Sequence, residues 1–213
     1  MEIFSINRGT PRKITRNHIE RITGIYKEPV SGPVEITPLG LAGDVIADKK
    51  NHGGPDQALY LYGQVDYDWW SQTLGEMIKP GLFGENLTIS ELESARFSIG
   101  DKLVIGEVVL QVTAPRIPCG TLSTRIGDPQ FVKKFRAAER PGLYCRALNP
   151  GRVAAGDRVV LDPYPGKTVS LLEMTRDHYH PDKTEAGLRR FLNAPIDLRT
   201  RARKQQLLAQ ITG

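Results

Sequence analysis

The chain has 213 residues, a formal net charge of +5, 39% hydrophobic residues and 25% charged residues, as is typical of a globular protein. A chain of this length buries roughly 70% of the surface that its unfolded form exposes, so it needs no disulfide to hold a core. Its apolar runs are far shorter than the ~20 residues of a membrane-spanning helix, and residues 1–10 lack the pattern of a signal peptide. With two cysteines and no export signal, we expect a cytoplasmic protein with free thiols and no membrane partner.

The first 160 residues are predicted to form mainly β-strands. Short segments rich in β-branched and apolar residues lie at residues 2–6, 32–37, 58–62, 86–89, 102–113 and 158–162. Gly106 and Glu107 interrupt the fifth segment and are typical of a two-residue hairpin turn of type II′. Many short strands with few helices predict a mostly β protein of the α+β class, built on a β-barrel.

Two helices are expected to interrupt these strands. The first covers residues 63–75 and ends on Gly75. Its apolar side consists of Val65, Trp69, Trp70 and Leu74. The second covers residues 127–142, with Asp128 as the N-cap residue and Pro129 in the first helical position. Its apolar face consists of Phe131, Val132, Phe135 and Ala138.

Residues 162–167 contain Pro and Gly and are predicted to form a linker, beyond which the apolar pattern changes from that of strands to that of helices. Three short helices are expected there, the first capped by Ser170 and the others following Pro181 and Pro195. We therefore divide the chain into a β-barrel domain at residues 1–165 and a three-helix module at residues 166–213. The module has few apolar residues, so it is expected to pack against the barrel or against a second subunit.

Cys119 lies shortly after the second strand of the hairpin predicted at residues 102–113. Pro115 and Pro118 cannot donate to a sheet, so that strand must stop, and Cys119 is expected on a stiff loop beyond it. Arg116 and Arg125 favour the thiolate, which is both a nucleophile and a ligand for soft metals. The alternative is a buried cysteine that packs as a small hydrophobic residue.

Two further segments contain candidate ligand-binding residues. Lys50, His52, Gly53 and Gly54 lie just before a predicted strand, where glycine N–H groups and basic side chains suit an anion. Asn86 lies at the start of another strand and has an amide that can donate to a ligand. Each of these segments, taken alone, also fits an ordinary turn.

Two other patterns predict no site. Cys145 shares one face of a strand with Leu143 and Ala147, which predicts a core position. His178 and His180 are spaced i, i+2, which suits neither face of a helix, and no further cysteine or histidine lies nearby. The pair therefore predicts an exposed helix end rather than a metal site.

Four segments together resemble the MOSC domain family in kind, order and spacing: KNHGGPDQALYLY, FGENLTI, IGDKLVIG and VTAPRIPCGTLSTRI. The resemblance covers residues 28–163, and the tail from residue 167 is similar to the three-helix segment of the YiiM-like subgroup. The family implies a β-barrel whose pocket cysteine is the proposed protein ligand to the molybdenum of a molybdopterin cofactor. Pyridoxal phosphate is not implied.

On this resemblance, Cys119 matches the family cysteine and is the implied molybdenum ligand and catalytic residue. The groups implied to bind the cofactor, including its phosphate, are Lys50, His52, Gly53, Gly54, Asn86, Arg116 and Arg125. The chain departs from the family at Gly120, where relatives often have a bulky or basic residue. Gly120 would therefore give a wider pocket.

The resemblance implies an oxidoreductase that reduces N-hydroxylated compounds, such as N-hydroxylated purine bases, from R–NHOH to R–NH2 and water. Electrons would come from a separate flavoprotein or iron–sulfur protein, because the chain has no dinucleotide-binding fingerprint. The alternative within the family is a sulfur carrier that holds a persulfide on Cys119.

The tail is the expected partner-binding region, because residues 167–213 contain nine Lys or Arg and five Asp or Glu. One hypothesis is that its basic side chains dock the acidic face of an electron donor. The residues in this hypothesis are Arg189, Arg190, Arg201, Arg203 and Lys204. The alternatives to donor docking are a solvated helix face and a segment that packs against the partner in a homodimer. A nucleic-acid-binding module is disfavoured, since aromatic residues are scarce among the basic ones.

Overall fold

The computed structural model describes residues 1–16, 18–49 and 52–213. Its strands are β1 (Ile3–Gly9), β2 (Arg12–Arg16), β3 (Ile19–Thr23), β4 (Lys27–Pro29), β5 (Val34–Thr37), β6 (Gly40–Leu41), β7 (Leu59–Gly63), β8 (Leu87–Ile89), β9 (Lys102–Ile105), β10 (Val108–Pro115), β11 (Leu143–Asn149), β12 (Gly151–Val153) and β13 (Val160–Asp162). Its helices are α1 (Gln64–Leu74), α2 (Gly120–Ile126), α3 (Phe131–Ala138), α4 (Leu171–Tyr179), α5 (Glu185–Leu192) and α6 (Leu198–Thr212). The predicted α+β class is confirmed.

The large sheet has the strand order β13-β9-β10-β11-β7-β8-β1-β4. Its neighbours are antiparallel except for β7 and β8, which run parallel. A smaller sheet has the order β12-β5-β6, and β2 and β3 form a separate hairpin. The predicted turn between β9 and β10 is confirmed, with Val108 paired to Ile105 and Gly106 at a φ of 56°.

The sheet is not closed into the β-barrel that the resemblance implies, because β13 and β4 are its edges. The N–H of Ile3 donates to the Asp157 carbonyl (2.9 Å), and that of Val159 donates to the Met1 carbonyl (2.9 Å). Directly before Asp157 the chain turns at Gly156, which has a φ of 91° and donates its N–H to the Ile3 carbonyl (2.8 Å). A turn cannot extend a strand alongside β1, so these bonds bridge the sheet locally without completing a barrel.

An aromatic cluster in the core joins β7, α1 and α3. Its members are Tyr62, Trp70, Phe83, Phe131 and Phe135. The Trp70 ring centroid is 5.0 Å from that of Phe131 and 5.9 Å from that of Phe135. Trp70 Nε1 donates to the Tyr62 hydroxyl (2.8 Å), so the polar tips of these buried rings are bonded to each other.

Helix α1 buries most of the predicted face, with Trp69 and Leu74 half-buried against the core, but it also buries two residues outside that face. Asp66, Tyr67 and Trp70 are buried, whereas Val65 is exposed. The Asp66 carboxylate accepts the Ser94 N–H (3.0 Å) and pairs with Arg140 (2.6 Å). These bonds offset the cost of burying the charge, which the apolar pattern of the sequence does not reveal.

Helix α3 begins later than predicted. Its first helical residue is Phe131, and Gln130 takes the N-cap position in place of Asp128. The Asp128 carboxylate accepts the Gln130 N–H (2.8 Å). Asp128 therefore stabilises a turn before the helix, and Pro129 lies in that turn.

The three predicted C-terminal helices are confirmed. Ser170, Thr184 and Asp197 each accept a hydrogen bond from the backbone N–H three residues further on, so each caps the helix that follows it. Leu171 and Phe191 belong to the same hydrophobic core as the strands, so these helices pack on the sheet. The domain boundary at residue 165 stays a prediction. Within the described ranges, no helix is long and apolar enough to span a bilayer.

Among the elements that were not predicted from the sequence are the β2–β3 hairpin and helix α2. The β2–β3 hairpin buries only Ile14 and Thr23, so it lacks the apolar alternation typical of a strand. Helix α2 begins directly after Cys119, in a segment interpreted as a loop. Both elements border the cavity that contains the candidate site.

Candidate functional site

A cavity of about 1200 Å³ lies among the β2–β3 hairpin, the ends of β7 and β10, and helices α4 and α6. Of the residues predicted to form a site, Cys119, His52, Gly53, Asn86 and Arg116 line this cavity. They come from three separate segments of the chain, so it is the fold that brings them together. Lys50, which was predicted to bind the cofactor, lies outside the described residues.

Cys119 occupies the N-cap position of α2, directly after the irregular segment that follows β10. Its thiol is partly exposed. Burial opposes ionisation of the thiol, but a hydrogen bond from His52, the charge of Arg116 and the Leu122 N–H outweigh it and lower the pKa of Cys119 to about 6. The thiol is therefore mostly ionised at neutral pH. Cys145, by contrast, is fully buried in the core as predicted, and burial raises the pKa of its thiol.

Arg116 is a buried cation beside the thiol. Its Nη1 donates to the Phe83 carbonyl, and its guanidinium lies 4.8 Å from the centre of the Tyr60 ring. Burial acts against the charge, but Tyr144, Tyr60 and Cys119 raise the pKa of Arg116 above its ordinary value. Arg116 Nε is buried without a hydrogen-bond partner in the described structure. One donor of the guanidinium is therefore left unsatisfied beside the cavity.

His52 links the thiol to a buried tyrosine. Its imidazole hydrogen-bonds to Cys119, and its Nδ1 lies 3.4 Å from the Tyr144 hydroxyl. Gly53, the next residue, has a φ of 75° and packs against Ile46, so the turn needs a residue without a β carbon. A cysteine held beside a histidine in this way is typical of an activated thiolate.

Asn86 has a positioning role in the cavity wall. Its side-chain oxygen accepts the Tyr60 N–H (3.1 Å), and its Nδ2 donates to Asp44 (2.9 Å). Asp44 also forms a buried ion pair with Lys27. Burial lowers the pKa of Lys27, although Asp44 acts in the opposite direction. Asn86 thus orients an ion pair that sequence reasoning missed, because isolated charged residues are usually exposed.

Gly54 and Arg125 do not line the cavity. Gly54, with a φ of 84°, precedes a short 3-10 turn. Arg125 lies on the last turn of α2, where its Nη2 donates to the Lys27 carbonyl (3.3 Å) and its guanidinium lies 5.1 Å from the centre of the Tyr26 ring. These contacts tie α2 to the segment that carries Lys27.

Gly120 does not widen the pocket as the sequence suggested. A β carbon built on Gly120 would lie 2.4 Å from Cζ of Arg16, so the Arg16 guanidinium fills the space that Gly120 leaves. A basic group from β2 therefore lies next to the residue that follows Cys119. No local pattern signals this, since residues 16 and 120 are distant in sequence.

The C-terminal helices form part of the cavity wall through Met174, His178, Arg199 and Arg203, among others. Several of the basic residues predicted to dock a donor are already engaged. Lys204 pairs with Asp177 (2.7 Å) in a buried ion pair. Arg201 donates to the Leu192 and Ala194 carbonyls (2.8 and 2.7 Å). The tail therefore forms part of the cavity wall, and docking of an electron donor by its basic residues stays a hypothesis.

The exposed histidine pair lies at the end of α4 as predicted. His180 Nε2 is 2.9 Å from Arg136 Nη2, and His178 faces the cavity. In the part of the chain that the structure describes, no group of three or more His, Cys, Asp and Glu side chains is arranged to hold a metal ion.

The model of the MOSC domain matches residues 48–160, and the chain belongs to this family. The chain is 34% identical over 191 residues to the protein YflK of Bacillus subtilis (strain 168), covering 90% of this chain and 86% of that protein. It is 34% identical to the protein YiiM of Escherichia coli (strain K12), over 62% of this chain and 61% of that protein. A reductase of Gibberella moniliformis (strain M3125 / FGSC 7600) is 34% identical over 74% of this chain, which spans 28% of that protein.

A solved structure supports the same relationship. The crystal structure of YiiM from Geobacillus stearothermophilus is similar with a TM-score of 0.79 and 27% identity, covering 97% of this chain and 98% of that one. The likeness therefore includes the C-terminal helices. The predicted YiiM-like resemblance is confirmed.

Proposed function

We propose that the chain is a molybdenum-cofactor-dependent reductase of N-hydroxylated compounds, such as N-hydroxylated purine bases. The observation that carries the proposal is the position of Cys119, an ionised thiol in the wall of a cavity of about 1200 Å³. Membership of the MOSC family and similarity to a reductase of Gibberella moniliformis support the same class of activity.

The side chains in the cavity fit the proposed cofactor. A thiolate is a ligand that soft metals prefer, and Cys119 is held ionised at the cavity wall. The buried Nε of Arg116 lacks a partner among the described residues, and a guanidinium suits the phosphate of molybdopterin. His52 and Gly53 line the cavity close to the thiol, where they can contribute to the binding of an anion. In the proposal Cys119 ligates molybdenum, and Arg116, His52 and Gly53 hold the anionic part of the cofactor.

When bound, the cofactor supplies the two-electron redox centre. The reaction R–NHOH + 2 e⁻ + 2 H⁺ gives R–NH2 and H2O, with both electrons supplied by a separate flavoprotein or iron–sulfur protein. His52 hydrogen-bonds to the Cys119 sulfur and keeps it ionised, and Arg116 lowers the free energy of the same anion. Burial raises the pKa of Tyr60 and of Tyr144, so both hydroxyls stay protonated at neutral pH.

The size of the cavity suits a cofactor and a substrate together. Pockets for one drug-sized ligand occupy about 300–1000 Å³. The cavity here is larger, at about 1200 Å³, and apolar side chains such as Ile14 and Met174 line it beside the charged ones. The apolar lining suits the flat face of a purine base.

The direct test is the reduction of N6-hydroxyadenine by protein purified from a molybdopterin-producing host, with dithionite as the electron source. We expect wild-type protein and Cys145→Ser to produce adenine and Cys119→Ala to produce none. Cys145→Ser is a matched control because it removes the other thiol without touching the cavity. Turnover by Cys119→Ala at the wild-type rate would contradict the proposal.

A sulfur carrier is the second candidate, and the low pKa of Cys119 is the observation that favours it. In that role the thiolate accepts a sulfane sulfur from a persulfide donor and passes it on, with no net redox change. Mass spectrometry after incubation with a persulfide donor distinguishes the two. A stable additional sulfur on Cys119, together with no reduction of N6-hydroxyadenine, would favour the carrier.

A further inference from the structure

One wall of the cavity is positively charged, and the proposed cofactor site does not use it. This arginine wall consists of His178 of α4 and of Arg199, Thr200 and Arg203 of α6, and Arg21 of β3 lines the same cavity. We propose that the arginine wall is a subsite for the phosphate of a nucleotide, so that the preferred substrate is an N-hydroxylated nucleotide rather than the free base. The inference rests on the proposed reductase function and adds the substrate class to it.

A buried ion pair fixes the position of this wall. Lys204 Nζ lies 2.7 Å from Asp177 Oδ2, and both side chains are almost fully buried. The Lys204 ammonium also lies 3.9 Å from the centre of the Phe191 ring. Arg203 and His178 are the sequence neighbours of the paired residues, and both reach the cavity. The ion pair therefore sets the register between α4 and α6 that brings Arg203 and His178 together.

Part of the positive charge that lines the cavity has no acidic partner among the described residues. Four acidic residues line the cavity: Asp44 pairs with Lys27, Asp177 pairs with Lys204, and Asp48 has a partner of its own. Asp197 caps α6 by accepting the Thr200 N–H with Oδ1, while its Oδ2 has no hydrogen-bond partner among the described residues. Across the described ranges, neither Arg21 nor Arg203 has an acidic partner within 4.0 Å. An arginine without a carboxylate partner is suited to bind phosphate through two parallel N–H donors.

Arg199 connects the wall to the thiol site. Its Nη2 lies 3.4 Å from the Gly53 carbonyl, next to His52, and its Nη1 donates to Gln57 (3.1 Å). Arg203 lies four residues further along α6, on the same face of the helix and ~6 Å along its axis. A ligand that extends from Cys119 along α6 therefore reaches Arg199 first and Arg203 next.

The positive charge of Arg203 also affects the pKa of the His178 imidazole. Partial burial lowers its pKa, and the nearby charge of Arg203 lowers it further, against the opposing effect of Asp177. A bound phosphate would relieve the repulsion between His178 and Arg203. Binding should therefore raise the pKa of His178, which gives a readout that does not depend on turnover.

The first experiment measures binding to the full chain without cofactor by isothermal titration calorimetry, with adenosine 5′-monophosphate and adenosine as probes. We expect the monophosphate to bind at least tenfold more tightly than adenosine. Arg203→Gln should weaken the monophosphate roughly tenfold or more, because it removes a charged hydrogen bond, and should leave adenosine binding unchanged. Arg189→Gln is the matched control, since Arg189 lies on the exposed surface of α5 and pairs with Glu185.

The second readout is the NMR titration of the His178 ring proton, assigned with the His178→Asn variant. We expect the pKa of His178 to rise on addition of adenosine 5′-monophosphate and to stay constant on addition of adenosine. Equal affinity for the two probes, or an unchanged His178 pKa at saturation, would overturn the subsite.

A third arm separates a substrate phosphate from the phosphate of the cofactor. Protein loaded with cofactor in a molybdopterin-producing host should still bind adenosine 5′-monophosphate, because the two phosphates occupy different places. Loss of binding in the loaded protein would assign the arginine wall to the cofactor and overturn the substrate assignment. Retained nucleotide binding without any reductase activity would instead overturn the proposed function and leave the arginine wall as a phosphate-binding site.

Discussion

The Arg16 side chain of β2 occupies the space beside the candidate site where a side chain on Gly120 of α2 would lie. A β carbon on Gly120 would lie 2.4 Å from Arg16 Cζ and 2.6 Å from its Nε. The guanidinium of Arg16 therefore lies directly against the helix that begins after Cys119. The β2–β3 hairpin and the α2 helix form this side of the cavity as a unit.

The first prediction follows from this contact and concerns Gly120→Ala. In an Arg16→Ala background, the change should stabilise the protein by about 0.4–1 kcal/mol, as a compatible glycine-to-alanine change in a helix does. In the wild-type background that gain should be absent, because the new methyl group must displace the guanidinium. Urea unfolding of the four proteins in this double-mutant cycle measures the difference. Equal effects of Gly120→Ala in both backgrounds would show that the two residues are not in contact.

The second prediction concerns the ionisation of Cys119. In a Cys145→Ser background, the rate of alkylation by iodoacetamide should rise with pH around a midpoint at about 6, because only the thiolate reacts. His52→Asn should move this midpoint upward, since it removes the imidazole that hydrogen-bonds to the sulfur. Mass spectrometry of the Cys119 peptide gives the rate. A wild-type midpoint near the ordinary cysteine value of about 8.5 would contradict the assigned environment.

The third prediction separates the charge of Arg116 from its hydrogen bond. Arg116→Met should destabilise the fold by about 1–3 kcal/mol, because the buried Phe83 carbonyl loses its donor. It should also raise the pKa of Cys119 by removing a nearby positive charge. Arg116→Lys keeps the charge without the planar fork, so it should restore the thiol pKa more fully than the stability. Thiol titration and urea unfolding of both variants test this, and an unchanged Cys119 pKa in Arg116→Met would count against it.

The fourth prediction concerns the buried pair that anchors the C-terminal helices. Lys204→Ala should cost about 3–5 kcal/mol, because it leaves the Asp177 carboxylate buried and unpaired. Lys134→Ala is the control, since its pair with Asp128 is exposed to solvent and should contribute much less to stability. If both variants lost the same stability in thermal unfolding, the Lys204–Asp177 pair would not be an anchor of the C-terminal helices.

Local sequence patterns predicted those helices and strands that are determined by neighbouring residues in the sequence. Periodicity and caps identified the helices after Ser170, Pro181 and Pro195, and β-branched runs identified most strands of the large sheet. The prediction of a closed barrel was wrong because closure depends on how the turn at Gly156 contacts β1. These two segments are far apart in sequence, so no local pattern reveals their contact.

The candidate site divides in the same way. The motifs pointed to Cys119, His52 and Arg116, and the structure brings these three to one cavity. The Lys27–Asp44 pair and the contact of Arg16 with Gly120 were missed, because each joins residues that only tertiary packing brings together. A buried ion pair in particular resembles two solvated charges when only the sequence is read.

The central claim is that Cys119 holds molybdenum in this cavity, and the most direct test is the metal content of the protein. Inductively coupled plasma mass spectrometry should be applied to wild type, Cys119→Ser and Cys145→Ser, each purified from a molybdopterin-producing host. We expect wild type and Cys145→Ser to contain similar molybdenum-to-protein ratios and Cys119→Ser to contain little or none. Molybdenum retained in Cys119→Ser at the wild-type ratio, or absent from wild type, would contradict the account.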